Sequence, residues 1–239
     1  LRQKLDAFRA FGIAHVFVAR FDAAFAALSP HAFIEEVLVR RLGVRWVLVG
    51  DDFRFGARRA GDRTLLEALA PRYGYEVSVM PTVVDSGIRV SSSAVREALA
   101  RGDLDRAKAL LGRPYSISGR IVHGRKLGRQ LGFATANVQL KHNRPPLLGI
   151  FAVLVHGIGA QPRQGVASLG FRPTVTDERR AALEVHLFDF AGDLYGQHLR
   201  VEFLHKLRDE EKYPDLATLR AAIERDCQAA RKYLRSVAT

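Results

Sequence analysis

Apolar residues in the first 80 positions recur with two different spacings. Helical spacing, with apolar residues three and four positions apart, predicts helices at residues 1–11, 30–42 and 62–73. Short continuous apolar runs fit buried strands at residues 13–19, 44–49 and 75–80. Helices that alternate with short buried strands predict βαβ units around a parallel sheet.

Two shorter helices are predicted next, at residues 94–100 and 104–111. The serines at residues 91–93 fit an N-cap for the first of them. The Gly-Arg-Pro sequence at residues 112–114 then interrupts the helical pattern, because Gly and Pro both break regular structure. We therefore expect a domain boundary after Arg113, with an α/β domain at residues 1–113 and a second domain at residues 114–239.

After Pro114 the apolar pattern becomes that of strands separated by turns. The strand-like segments are residues 115–122, 150–155, 165–169, 182–190 and 199–204. Several strands at this density predict an antiparallel barrel or sandwich. Residues 215–235 instead carry apolar residues at helical spacing, which predicts a final helix packed on the barrel. Its apolar stripe consists of Leu216, Leu219, Ile223, Cys227, Ala230 and Leu234.

The net charge of +12 is spread over both halves of the chain. Spread charge favours small anionic ligands over a nucleic-acid footprint, which gathers basic residues on one face. The single cysteine, Cys227, excludes an internal disulfide and is expected in the core. No apolar run reaches the ~18–20 residues that span a bilayer, and no secretory signal opens the chain, so we expect a cytoplasmic protein. Because the chain starts without Met, we also expect an upstream segment.

A run of three glycines, one at every fourth position, is the strongest candidate for a ligand loop. Gly124, Gly128 and Gly132 alternate with Arg125, Lys126 and Arg129, and Thr135 and Asn137 follow. Backbone N–H groups in such a loop can surround an anion, and basic side chains add contacts to phosphate. Thr and Asn oxygens suit Mg²⁺. The run predicts a magnesium–nucleotide loop. The alternative is a glycine-rich hairpin with a solvated basic face, because the Walker A pattern is absent.

A carboxylate stands in a strand-like segment of the second half. Strand alternation places Glu184, His186 and Phe188 on one face and the intervening apolar residues on the other. A carboxylate among apolar neighbours is a candidate general base. A surface-facing Glu on a half-exposed strand is the alternative, and His186 is expected to pack or to support the site.

Two further candidates lie before the domain boundary. The loop at residues 50–56 follows a predicted strand, where α/β sheets bind ligands. Gly50, Asp52, Phe53 and Phe55 form its candidate substrate contacts, against the alternative of a turn with a capping Asp. Serine hydroxyls at a helix N-terminus, with an Arg one turn later, suit an anion. These residues are Ser91, Ser92, Ser93 and Arg96; a simple serine cap with an exposed Arg is the alternative.

Six motifs in order and spacing resemble one family nearly end to end. They are VGDDFRFG at residues 49–56, VSSSAVR at 90–96, LLGRPY at 110–115, GRKLGRQLGFATAN at 124–137, LEVHL at 183–187 and KLRDE at 206–210. The chain resembles the prokaryotic bifunctional riboflavin kinase/FMN adenylyltransferases, or FAD synthetases. The resemblance implies a Rossmann-like nucleotidylyltransferase domain followed by an antiparallel kinase barrel with a C-terminal helix. By their chemistry alone, residues 206–211 look like ordinary loop and charged-helix material.

The resemblance also implies roles for the candidate residues. Thr135 and Asn137 match the motif that holds Mg²⁺ with the ATP phosphates, and the glycine run covers those phosphates. Glu184 matches the catalytic base that activates the terminal ribityl hydroxyl of riboflavin. Residues 91–96 match a nucleotide-binding motif of the adenylyltransferase, and residues 50–56 match a substrate loop. ATP is then a co-substrate, and riboflavin, FMN and FAD are substrate and products.

The sequence departs from the family pattern at two points. Ala134 replaces the usual Pro, which loosens the local backbone because Pro fixes φ. The family's N-terminal segment with His-x-Gly-His, which stabilises charge during AMP transfer, is absent. We therefore expect this polypeptide to make FMN but little FAD.

Other functions remain as alternatives. These are a kinase with a vestigial adenylyltransferase domain, an adenylyltransferase for a non-flavin substrate, and a basic barrel that binds RNA. Spread charge disfavours the last, so we expect small-molecule substrates and neither a nucleic-acid nor a membrane partner. Whether the protein forms a homo-oligomer is left open.

Overall fold

The computed structural model describes residues 1–124, 128, 131–140, 144–172 and 180–237, with Arg172 described by its backbone alone. The chain forms two compact units, Leu1–Val84 and Asp85–Thr239. Among the described residues, no helix is long and apolar enough to cross a membrane.

The first unit combines helices with two parallel strands. The helices are α1 (Arg2–Ala10), α2 (Ala23–Ala26), α3 (Pro30–Ala32), which continues as the π-helical segment Phe33–Arg41, and α4 (Arg63–Tyr73). A short 3₁₀ turn spans Ala57–Arg59, and strand β1 (Trp46–Gly50) pairs in parallel with β2 (Glu76–Met80). This confirms the predicted α/β character.

Local chemistry explains where two of these helices begin and end. Ser29 caps α3 by accepting a hydrogen bond from the Ala32 N–H at 3.1 Å, and Pro30 occupies the first helical position. Asp62 caps α4 in the same way, and α4 ends at Gly74, whose φ of +72° is left-handed. The helices enclose a small core formed by Ile34, Val49, Phe55, Leu66 and Tyr75.

The predicted strand at residues 13–19 is wrong. This segment has no regular structure, and its side chains are largely exposed, including Phe17 and Val18 at 50% and 54%. A β-strand needs a neighbour that accepts its backbone hydrogen bonds, and in the described part of the chain only β1 and β2 pair in this unit. An apolar run alone therefore did not specify a strand.

A short hairpin, whose first residue Val84 ends the first unit, and two helices precede the barrel. Strands β3 (Val84–Asp85) and β4 (Ile88–Arg89) form the hairpin, and α5 (Ser92–Arg101) and α6 (Leu104–Leu111) follow. Buried side chains of α5 and α6 share one core with the barrel; they are Ala98, Leu99, Leu104 and Ala107. The compact units thus divide earlier than the predicted boundary after Arg113, because α5 and α6 pack on the barrel.

Six antiparallel strands then close into a barrel. They are β5 (Ser116–Val122), β6 (Thr135–Val138), β7 (Gly149–His156), β8 (Arg163–Arg172), β9 (Arg180–Leu187) and β10 (His198–Arg208), in the order β10-β5-β6-β9-β8-β7. The predicted barrel is confirmed. Strand β6 was not predicted, and β10 extends to Arg208, where loop and helix material was expected.

Alternation along the strands gives the barrel a filled interior and an apolar outer patch. Phe151, Val153 and Phe203 are at most 1% exposed inside it. The final helix, α7 (Leu216–Ser236), covers the outer patch through Cys227, Ala230 and Leu234. Its predicted stripe is correct except at the first position, since Leu216 is 54% exposed. Burial raises the pKa of the Cys227 thiol to about 11, as fits the expected core position.

Candidate active site

The predicted catalytic residues lie in one row on the outer face of the barrel. Asn137 on β6 is the cross-strand partner of Glu184 on β9, which in turn is paired with Ser168 on β8. The residues between them on β9, Leu183 and Val185, are 1% and 2% exposed inside the barrel. Because successive strand residues point to opposite faces, the polar row points outward, toward α7.

Thr135 extends this row by direct contact. Its hydroxyl Oγ1 donates to Glu184 Oε2 at 3.3 Å. Thr135 and Asn137 are two residues apart on β6, so both side chains lie on the same face as Glu184. The structure therefore brings together the three side chains for which the sequence predicted metal binding and general-base catalysis.

Two glycines of the run approach this row more closely than any other residue could. A Cβ atom at Gly124 would lie 2.2 Å from Asn137 Nδ2, and one at Gly128 would lie 2.4 Å from the Phe133 carbonyl and 3.2 Å from Thr135 Oγ1. Neither glycine has a left-handed φ, so these positions need glycine because there is no room for a side chain. Gly132 differs, because its φ is +90° and no atom lies within contact distance of its Cβ position. Arg125, Lys126 and Arg129 lie outside the described residues.

A cavity of about 320 Å³ opens beside the row, between the barrel and α7. We call it the helix-side cavity. Its walls are mainly apolar and include Leu131, Phe133, Ile150, Val166 and Ile223. Its polar lining is formed by Thr135, Ser168, Glu184, His186, Arg208, Glu210, Glu211, Tyr213 and Asp226. An apolar cavity with a few convergent polar groups is typical of a small-molecule site.

A second cavity, of about 610 Å³, lies on the other side of β6. We call it the loop-side cavity, because residues 190–195 form much of its wall. Thr135 lines both cavities. The ring of His123 lies 3.8 Å from that of Tyr195, which lines this cavity.

His186 links the catalytic strand to the segment before β6. Its Nδ1 lies 2.9 Å from the Ala134 carbonyl oxygen, which can only accept, so Nδ1 carries the proton and donates. The Phe133 and Phe188 rings contact the imidazole edge-to-face, at 5.5 and 5.9 Å. His186 therefore packs and supports the site, as the sequence suggested, and it holds the position where Ala replaces the family's Pro.

An ion pair joins the end of β10 to α7 at the cavity wall. Arg208 donates from Nε and Nη2 to the two carboxylate oxygens of Asp226, at 2.9 and 2.7 Å. The hydrogen bonds to Asp226 raise the pKa of the Arg208 guanidinium. The Arg208 side chain also lies over the Tyr213 ring, whose own pKa is raised mainly by desolvation. This ion pair holds β10 and α7 together at the wall of the helix-side cavity.

The sequence did not predict six polar residues of the cavity: Ser168, Arg208, Glu210, Glu211, Tyr213 and Asp226. Asp226 had a usable signal, because it lies on the apolar stripe of α7 between Ile223 and Ala230, at helical spacing from each. Arg208 and Glu210 lie in the KLRDE motif that contributes to the family resemblance, but no local pattern predicts that the strand register and the chain path beyond β10 bring them to the cavity.

The first-half candidates fall in different compact units. In the loop after β1, Asp51 accepts a hydrogen bond from Thr82 Oγ1 at 2.8 Å, and Asp52 is exposed. Phe55 is 6% exposed and packs in the core, with Phe53 stacked on it at 5.6 Å. Burial of Phe55 explains the loop's shape and does not support the stacking on a ligand predicted for it. Gly50 ends β1.

The serine motif opens α5, in the barrel-containing unit. Ser91 caps the helix by accepting from the Ala94 N–H at 3.2 Å. Arg96 donates from Nη2 to Ser93 Oγ at 3.3 Å, and Ser92, Ser93 and Arg96 are exposed. Hydroxyls and a guanidinium thus meet at a helix N-terminus, the arrangement expected for an anion site.

The donor set at the catalytic row fits a magnesium ion. Thr135 and Asn137 offer uncharged oxygens, and the Glu184 carboxylate lies beside them. Hard oxygen ligands in small number match Mg²⁺, which keeps water and phosphate ligands for its other positions. Within the described ranges, no group of three or more His, Cys, Asp or Glu side chains could hold a metal ion.

Comparison with known proteins gives a consistent result over both units. Residues 111–234 match the riboflavin kinase family, and residues 1–94 match the FAD synthetase family. The bifunctional riboflavin kinase/FMN adenylyltransferase of Escherichia coli K12 is 47% identical over 233 residues, covering 98% of this chain and 74% of that protein. The enzyme of the same name from Pseudomonas fluorescens is 48% identical over 220 residues, covering 92% of this chain and 70% of that protein.

A similar solved structure also covers both units. A crystal structure described as a macrolide-efflux protein from Streptococcus pneumoniae has a TM-score of 0.79 and 28% identity, covering 96% of this chain and 74% of that one. The 47% identity to the E. coli enzyme over 98% of this chain and the two matched families together identify the family to which the chain belongs. This chain belongs to the family of bifunctional riboflavin kinase/FMN adenylyltransferases.

Proposed function

We propose that the barrel unit phosphorylates riboflavin with Glu184 as the general base. The observation that carries the proposal is the outward row of Asn137, Glu184 and Thr135, of which Glu184 and Thr135 line the helix-side cavity. A carboxylate that lines a largely apolar cavity, next to two metal-binding oxygens, has the surroundings that phosphoryl transfer to a hydroxyl requires.

The reaction balances with the groups present and the two substrates. Glu184 accepts the proton of the terminal ribityl hydroxyl of riboflavin. The oxygen forms a bond to the γ-phosphorus of ATP, the bond from that phosphorus to the β-phosphate oxygen breaks, and ADP leaves with the electron pair. The products are FMN and ADP.

We assign riboflavin to the helix-side cavity and ATP to the loop-side cavity. The helix-side cavity has the apolar walls that a flat aromatic ring system needs, and Glu184 lines it. The loop-side cavity opens on the opposite side of β6, and Thr135 is common to both. Two substrates bound this way would meet at Thr135, beside the base.

We assign Mg²⁺ to the oxygens of Thr135 and Asn137, and the ATP phosphates to the glycine run. Bound there, the ion would neutralise charge on the phosphates during transfer. The close packing of Gly124 on Asn137 and of Gly128 on Thr135 supports this assignment, since two glycines of the run lie beside the side chains assigned to the metal. From the sequence, we also assign Lys126 of this run to a contact with the ATP phosphates.

We also assign adenylylation of FMN to the first-half motifs. Ser91, Ser92, Ser93 and Arg96 at the start of α5 would hold ATP phosphate. For the loop at residues 50–56, in the other compact unit, the sequence supports flavin contacts through Asp52 and Phe53. The chain spans 74% of the length of its E. coli relative.

Incubation with riboflavin, ATP and Mg²⁺ should produce FMN, with an amount of ADP equal to the sum of FMN and FAD, measured by chromatography. Chelation of the metal with EDTA should abolish FMN formation, and an excess of Mg²⁺ should restore it, because uncompensated phosphate charge opposes transfer. FMN formation that continues undiminished in EDTA would contradict the metal assignment. The absence of FMN from the complete mixture would contradict the kinase assignment.

Replacement of Gly124 by Ala should weaken activation by the metal. The added Cβ would overlap the Asn137 side chain and displace its oxygen. We expect the Mg²⁺ concentration for half-maximal activity to rise about tenfold or more, in line with loss of one ligand interaction. Activity titrated against Mg²⁺ measures this, and an unchanged thermal melting curve would show that the fold is retained. An unchanged titration would place Asn137 outside the metal site.

A further inference from the structure

Ser168 and Glu210 form a hydrogen-bonded pair beside the proposed base. Ser168 on β8 is the cross-strand partner of Glu184, so the two side chains share the outer face of the barrel. Ser168 Oγ donates to Glu210 Oε1 at 3.2 Å. Both residues line the helix-side cavity, and the proposed mechanism uses neither of them.

The direction of this hydrogen bond limits what the pair can bind. A serine hydroxyl has one proton, and here that proton is directed to Glu210. Ser168 Oγ is left to accept, and a carboxylate only accepts. Together with Glu184, the pair lines this part of the cavity with acceptors, so a matching ligand must bring hydroxyl donors.

The polyhydroxyl chain of riboflavin supplies such donors. The distance between Ser168 and Glu184 also suits two neighbouring hydroxyls of that chain. Directly opposed strand residues have Cβ atoms about 5 Å apart. Two acceptors at that spacing can each receive a hydrogen bond from one of two neighbouring hydroxyls on a carbon chain. On the basis of the function proposed above, we propose that the Ser168–Glu210 pair accepts, at Ser168 Oγ, the hydrogen bond of the secondary ribityl hydroxyl next to the one phosphorylated, while Glu210 holds the Ser168 proton. The pair thereby places the terminal hydroxyl at Glu184 and selects substrates that carry the neighbouring hydroxyl.

The Glu210 carboxyl group occupies the space that a side chain at residue 170 would fill. A Cβ atom at residue 170 would lie 1.7–2.0 Å from the Glu210 carboxyl atoms. Gly170 has no left-handed φ, so the backbone itself would accept a side chain. The Gly170→Ala substitution should therefore expel the flexible Glu210 side chain without altering Glu210 or straining β8.

The test compares riboflavin with 4′-deoxyriboflavin, which lacks the neighbouring secondary hydroxyl. The wild-type enzyme should use riboflavin with about tenfold higher kcat/KM, the value of one good hydrogen bond. Ser168→Ala and Gly170→Ala should each lower kcat/KM for riboflavin about tenfold and leave the value for the deoxy analogue within about twofold. Both variants should thus lose the preference for riboflavin.

Gln164→Ala is the matched control, because Gln164 lies on the same face of β8 but does not line the cavity. It should retain the wild-type preference. An equal loss with both substrates, or no loss with either, would overturn the proposal for Ser168; retained preference in Gly170→Ala would overturn it for Glu210. Failure of the kinase assignment is distinguishable, since the wild-type enzyme would then form no FMN from riboflavin.

Discussion

The Glu184→Gln enzyme is expected to form FMN two to four orders of magnitude more slowly than the wild type, about the contribution of one general base. Gln is nearly the same size, and its carbonyl oxygen can still accept the Thr135 hydrogen bond, so the site should keep its shape. What is lost is the ability to accept the proton of the ribityl hydroxyl. The effect should therefore appear in kcat, while the dissociation constant of riboflavin changes little.

Single-turnover kinetics and quenching of flavin fluorescence on binding measure these two quantities separately. Glu224→Gln serves as the control, because Glu224 is exposed on α7 and does not line the cavity. That variant should have wild-type kinetics. Near-normal turnover of the Glu184→Gln enzyme would remove Glu184 from the role of base, and a loss of riboflavin binding equal to the loss of kcat would assign it to binding.

The Asp226→Asn substitution is expected to destabilise the barrel unit by about 2–3 kcal/mol. Asp226 is 8% exposed, and both of its carboxylate oxygens accept from Arg208. Removal of its charge leaves the partly buried guanidinium with the exposed Glu211 carboxylate, 3.9 Å from Nη1, in place of a bidentate partner, and this is costly because a charge in low dielectric is poorly solvated. The wall between β10 and α7 should loosen, so riboflavin binding should weaken as well.

A second Arg–Asp pair on the same helix provides a matched control. Arg231 donates to both oxygens of Asp189, each at 2.9 Å, but the Asp189 side chain is 77% exposed. Asp189→Asn should therefore change stability little, since water and salt screen an exposed pair. The geometry of the two pairs is alike, and burial is the difference between them.

Urea unfolding followed by circular dichroism includes the change in the barrel unit, because the secondary structure of both units contributes to this signal. The single tryptophan, Trp46, lies on β1 in the other compact unit, so its fluorescence reports that unit separately. The Asp226→Asn substitution should shift the first signal and leave the second in place. Equal effects of the two Asp→Asn substitutions on the circular dichroism transition would show that burial does not set the strength of the pair.

Much of the fold could be predicted from local patterns. Apolar spacing located the helices at residues 30–42 and 62–73 closely, because helical periodicity is a local signal. Alternation along β9 correctly placed Glu184 on the face of the strand that points away from the apolar core. Strand β6 escaped prediction because it has four residues, two of them polar, and follows the glycine run.

The rest depends on contacts between distant residues. The run at residues 13–19 is as apolar as a strand, yet pairing decides whether a strand forms, and pairing is not a local property. Likewise, the meeting of Ser168 with Glu210 depends on the barrel register and on the path of the chain after β10. No local sequence pattern around Ser168 or Glu210 predicts this contact.

The outward position of the catalytic row has a consequence for how this enzyme can evolve. On β9 the residues that close the barrel, Leu183, Val185 and Leu187, alternate with Glu184 and His186, which line the helix-side cavity. Selection for a stable barrel and selection for chemistry therefore act on alternate positions of one strand. Substrate preference can change on one face by single substitutions while the other face preserves the scaffold.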